Sequence, residues 1–258
     1  MNAGHNRTAN AGVVIAALLL AGLQVGVAVA QDARAAVGQA NDKLVRYQTK
    51  DARAVLAPVI GKADADAAVA IALGRVLDQE KNYADAAARL QKASSLSPAD
   101  PAPLVYLGET YLHAQRSSDA SAAFSKAAQL AQAAVAKSPN NAAALFCLGV
   151  AQQRLKQFDA AVTTLGKARS AGFDSGLVLY QLGATKAFQG KWQEAVNLLT
   201  QALAANSGIA YAYYYRALAQ DKLGKKDQLV LDMNRFLSLA PQAPEAVQAQ
   251  AVVNAAKR

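Results

Sequence analysis

The sequence predicts an all-α chain built as an α-solenoid of stacked helix–turn–helix units. Three observations carry the prediction. The pair Leu-Gly stands at 73–74, 107–108, 148–149 and 182–183, with 34 residues between Gly74 and Gly108 and again between Gly149 and Gly183. Apolar residues make up 53% of the chain and aromatics only 6%. Much of the difference is alanine, the strongest intrinsic helix former and small enough for helices to approach closely. Each Leu-Gly pair is also followed by the same order of small and large side chains. A fixed period of this kind marks units that bury their apolar faces only against neighbours.

Residues 1–30 stand apart from the array. Arg7 precedes an apolar run from Ala11 to Ala30 that ends Ala28-Val29-Ala30, followed by Gln31-Asp32. A basic start, an apolar stretch and a small-x-small end predict a signal peptide cleaved after Ala30. The run is also long enough to remain as an uncleaved anchor. Export implies a periplasmic or secreted address. Removing Arg7 leaves 26 bases against 18 acids, so the +9 of the full chain becomes +8.

Residues 31–66 read as a degenerate first unit. Ala40 stands 34 positions before Gly74, Ala52 and Leu56 fill apolar slots, and Pro58 should shorten the second helix by removing a donor and crowding the previous turn. Residues 67–100 form the best unit, with Leu73-Gly74, Leu77, Ala86, Leu90, Ala93 and Pro98. Small residues mark close helix crossings, large ones fill the space between helices, and the proline stops the second helix. Asp64 and Asp66 read as a solvated helix start. Residues 101–141 repeat the pattern with Leu107-Gly108, Tyr111, Ala120 and Phe124, but 41 residues separate Gly108 from Gly149. Seven extra residues are close to two turns, so the second helix should lengthen by about 10 Å with the same face inward. That extension is either mere lengthening or a docking ledge.

Units at 142–175 and 176–209 follow, with Gly172 and Ser207-Gly208 turning the chain in place of proline. Tyr83, Phe158 and Trp192 recur at one position, which predicts packing between helices rather than ligand binding. Residues 210–243 form a divergent last unit, with Ala217 for glycine and Met233 in the large slot. Pro244-Glu245 opens a terminal capping helix over 244–258.

Spacing, small residues, aromatics and prolines together resemble the tetratricopeptide repeat family over roughly Ala33 to Pro241, nearly the whole mature chain. The resemblance implies a right-handed solenoid whose first helices line a concave groove for a partner peptide or helix. It implies a scaffold or adaptor rather than an enzyme, similar to exported members that serve envelope assembly. Carried onto this chain, the groove positions give Val105, Phe146, Arg154, Leu177 and Tyr180. They add Phe188, Tyr211, Tyr214 and Lys222 towards the C-terminal end. Grouped exposed aromatics mark interaction sites, whereas a short superhelix that closes on itself buries the same rings in its own packing. Both readings stand at this point. The family's clamp for acidic chaperone tails is missing, since its positions read Ile71, Arg75, Tyr106, Ala143 and Cys147.

No catalytic, cofactor or metal site is expected. Cys147, the only cysteine, lies on a packing face beside Phe146 and Leu148, and His113 reads as a lone surface histidine. No phosphate loop or nucleophile elbow occurs. The positive charge is thinly spread, with Lys222, Lys225, Lys226 and the terminal Lys257-Arg258 its only local concentration, so nucleic acid is not expected. The expected partner is a protein or peptide held in the groove. Alternatives are an accessory subunit acting through the convex face and the long helix, and a protein associated with the cell wall or an anionic membrane surface.

Overall fold

The computed structural model describes residues 31–256, and the expected signal segment lies outside them. Within them the chain is an all-α solenoid. Helix α1 spans 31–45 and α2 Thr49–Leu56, followed by a 3-10 turn at Ile60–Lys62. Five further pairs are α3 (Ala67–Gln79) with α4 (Tyr83–Leu96), α5 (Ala102–His113) with α6 (Ser117–Lys137), and α7 (Ala142–Arg154) with α8 (Phe158–Ser170). Then come α9 (Ser175–Phe188) with α10 (Trp192–Ala205), and α11 (Ala210–Lys222) with α12 (Lys226–Leu239). Helix α13 (Ala246–Ala256) packs on α12.

The four pairs from α3–α4 to α9–α10 are each locked at one crossing. An alanine Cβ at Gly74 would lie 2.7 Å from the Leu90 side chain, at Gly108 2.6 Å from Phe124, at Gly149 2.6 Å from Leu165, and at Gly183 2.5 Å from Leu199. Those four large residues are almost fully buried. The repeat therefore fixes a hydrogen on the first helix against a large side chain on the second.

The turn inside each pair is also one structure used six times. Tyr47, Lys81, Gln115, Lys156, Gly190 and Gly224 all take positive φ, from 56° to 73°. The next N–H bonds back to the carbonyl five residues earlier, as in Gln48 to Lys43 (2.9 Å) and Lys191 to Lys186 (2.9 Å). This is the Schellman arrangement, which uses carbonyls a helix end leaves unpaired. First helices begin by side-chain capping where the loop allows: Asp66 accepts from Ala68 N–H at 2.8 Å, Asn141 from Ala144 and Asp174 from Leu177. Asp66 thus caps a helix, while Asp64 holds Arg89 at 2.6 Å.

Two outcomes follow from prolines and spacing. Helix α2 has only 8 residues and ends at Leu56, before Pro58. Helix α6 has 21 residues, as the 41-residue interval requires. Its extra turns do not hang free. Ala127 and Ala131 are fully buried, and Val135 packs on the Leu145–Leu165–Val178 cluster of the next units.

Successive units are clasped along the concave side. Gln79 donates to the Leu44 carbonyl at 2.9 Å, the His113 ring meets Asp78 at 2.9 Å, and Arg154 donates to Glu109 at 2.7 Å. Finally, the two ends of the solenoid touch. The Tyr47 hydroxyl lies 3.3 Å from that of Tyr211, 164 positions away, and the Arg46 side chain covers Gly208.

Candidate functional site

The first helices α5, α7, α9 and α11 supply the concave face, and the nine groove residues do not form one patch on it. Near the helix starts, Phe146 stacks on Phe173 with centroids 4.2 Å apart, and Leu177 is half-buried against Leu199 and Ile209. Two positions are corrections. Val105 is 7% exposed, because neighbouring first helices pack against each other there. Tyr214 is 8% exposed and turns onto Phe236 of α12, with centroids 5.0 Å apart.

The middle of the face is a buried polar and aromatic floor. Arg154 and Glu109 form an ion pair in which each side chain is only 21% exposed. Burial disfavours the charged guanidinium, yet Glu109 together with the Tyr215 and Tyr180 phenols outweighs this, and the net shift is upward. Burial also raises the Tyr180 and Tyr215 phenols, and the two rings lie 6.2 Å apart. Tyr211 donates to Glu245, and its phenol is raised first by burial and then by Tyr47 and Glu245. Burial, then Glu245, pushes Tyr214 up to about 12. At neutral pH these phenols are protonated hydrogen-bond donors.

The lip of the face is different. Phe188, at the last turn of α9, is 44% exposed. It stacks on Phe158 (5.9 Å) and meets the edge of Tyr215 (5.5 Å). Lys222 is exposed at the corresponding place on α11. The structure thus gathers Tyr180 and Tyr215 beside Arg154, with Phe188 and Phe158 extending from Tyr215, and leaves Phe146 and Leu177 outside that group.

Sequence reasoning missed four participants. Tyr215 follows two other tyrosines, and periodicity alone marked only Tyr211 and Tyr214. Glu245 lies beyond the last repeat. Tyr47 occupies a turn, and Asp78 is tied to a histidine that looked isolated. His113 is accordingly a correction: it is half-buried and bonded to Asp78. Trp192 is half-buried against the cluster around Leu199 and Leu203. The Cys147 thiol is buried, and burial pushes its pKa up to about 12, far from the range of a reactive thiolate.

Residues 77–127 and 180–244 each match the tetratricopeptide repeat family. No curated protein matches the sequence. Among solved structures, a thermophilic tetratricopeptide-repeat protein of Thermus thermophilus is similar at 21% identity and a TM-score of 0.56. That match covers 73% of this chain and 97% of the other. YrrB, described as a tetratricopeptide-repeat protein with an unusual peptide-binding site, is similar at 19% identity and a TM-score of 0.40, over 76% of this chain and 97% of its own. With glycine crossings and Schellman turns recurring from unit to unit through both matched segments, the chain is a tetratricopeptide-repeat protein.

Proposed function

We propose that the protein is a non-enzymatic interaction scaffold that binds a partner peptide or helix at the lip of its concave face. One observation carries the reading: Phe188 leaves 44% of its surface open while Phe158 and Tyr215 fix its ring from behind. A held aromatic that is still exposed loses little side-chain freedom on binding, and such residues dominate binding energy. Lys222, at the same place one unit on, offers a cation to an acidic or carbonyl group. The floor beneath, from Arg154 to Tyr211, serves to hold the lip in place. The buried thiol of Cys147 and the commitment of His113 to Asp78 support a binding role over a catalytic one. Export to the envelope is part of the proposal and rests on the Ala11–Ala30 run and the Ala28-Val29-Ala30 ending.

A photoreactive residue at Phe188 is expected to capture one envelope protein, whereas one at Arg89 on the outer side captures none. The outer face has its own claim, since Arg89 borders an open cleft of about 640 Å³ with Arg53, Leu73 and Lys92. Capture from Arg89 alone would transfer the role to that face. Phe188→Ala should weaken partner binding by about tenfold or more while costing only about 1 kcal/mol of stability from its two ring contacts. Protein recovered from the envelope is expected to begin at Gln31, and a cytosolic chain that retains residue 1 would overturn export.

A further inference from the structure

Tyr47 is unlike its five equivalents. The same left-handed turn position holds Lys81, Gln115, Lys156, Gly190 and Gly224, which are long flexible chains or glycine. A tyrosine at φ 56° is an unusual occupant, and a bulky residue stays in that region only where its surroundings hold it. Here the holder is the far end of the chain. The Tyr47 ring lies 5.8 Å from that of Tyr211 and packs on the cluster built by Tyr214, Met233 and Phe236. Tyr211 donates its own hydroxyl proton to Glu245, so its oxygen is free to accept from Tyr47 at 3.3 Å. The face of the fifth unit therefore offers an apolar wall and, at a fixed depth, a hydrogen-bond acceptor. That is the complement of a phenol.

Val45 touches the Leu199–Ile209 cluster and Arg46 covers Gly208, but beside them a cleft of about 560 Å³ opens between Arg46, Asp174, Ser175 and Asn206. The turn lies over the face with that cleft open at its side. We propose that the Tyr211–Glu245 face is a binding site for a tyrosine side chain, and that Tyr47 is its built-in occupant, displaced when a partner presents a tyrosine of its own. This rests on the reading that the concave face takes a partner. A tethered occupant lowers the apparent affinity of any competitor by the fraction of time the site stands open.

The test is an NMR titration of the full chain with N-acetyl-tyrosinamide and, in parallel, N-acetyl-phenylalaninamide. In Tyr47→Gly, where glycine suits the turn, the tyrosine amide is expected to give saturable shifts of the Tyr211 and Tyr214 signals. Binding should be about fivefold weaker for the phenylalanine amide and at least tenfold weaker in the wild type. No saturation in a folded Tyr47→Gly chain overturns the proposal, as does equal affinity in variant and wild type, or equal affinity for the two amides. Should Tyr47→Gly fail to fold, Tyr47→Phe decides, because it keeps the ring and loses only the bond to Tyr211. Tighter binding of the tyrosine amide by that variant than by the wild type is the expected result, and no difference overturns the site. The titration reads Tyr211 and the crosslink reads Phe188, so either can fail without the other.

Discussion

Gly183 and Gly166 lie on adjacent units and should respond to alanine with opposite signs. At Gly183 a methyl group would sit 2.5 Å from Leu199 Cγ and 3.2 Å from its backbone nitrogen, so the helices must part. Gly183→Ala is expected to cost about 1–3 kcal/mol, whereas Gly166→Ala, with nothing within 4 Å in the middle of α8, should add about 0.5–1 kcal/mol. Urea unfolding of both variants checks the pair. His113 offers a second residue-scale test. Burial pulls its imidazole pKa down, but the hydrogen bond and charge of Asp78 outweigh this, and the net shift is upward. A raised folded pKa means the contact stabilises fully below the unfolded value of about 6.5 and loses that contribution as pH rises through the folded value. His113→Gln should therefore lower the urea midpoint more at about pH 5.5 than at about pH 8.5; an equal drop at both would show that the charge contributes nothing. The left-handed turn at Tyr47 was hidden in the sequence because six different pairs of neighbours perform the same turn, and only backbone angles align them.

At the scale of the element, most of what periodicity can express was readable. The 34-residue spacing, the stop before Pro58 and the long α6 all follow from positions of glycine, alanine and proline, whose effects are local. What spacing could not express is which face of the α6 extension has a neighbour. Ala131 is fully buried and Ala133 exposed, although both are alanines in the same stretch. Ala131→Glu should cost about 3 kcal/mol or more by placing a charge in a packed interface, against about 0.5 kcal/mol for Ala133→Glu. Chemical denaturation measures both. Comparable costs would mean that the extension is not packed as described. The clasps at Gln79, His113 and Arg154 were equally out of reach, since each joins residues from different units whose partners vary from one unit to the next.

For the whole molecule, the meeting of Tyr47 with Tyr211 changes what kind of object the array is. Repeat arrays interact only with nearest neighbours, so their ends unfold ahead of their middle. A contact between first and last units ties both ends into one loop. Wild-type unfolding followed by Trp192 fluorescence and by far-ultraviolet circular dichroism should give coincident transitions, whereas Tyr47→Gly should separate them. The sequence pointed to the groove positions but left open whether their rings faced a partner or each other. The answer is split because depth along each helix decides it: Tyr214 turns inward to Phe236, and Phe188 ends its helix at the surface. Glu245 belongs to no repeat, so no periodic argument led to it.

The single thiol turns the middle of the array into a stopwatch. Cys147 is sealed inside α7, and burial pushes its pKa up to about 12, so a thiol-reactive dye labels it only during moments when the third unit comes apart. Labelling rates at increasing dye concentration should plateau at the opening rate of that unit. Loosening the ends through Tyr47→Gly should leave the plateau nearly unchanged, because the third unit is held by its own neighbours.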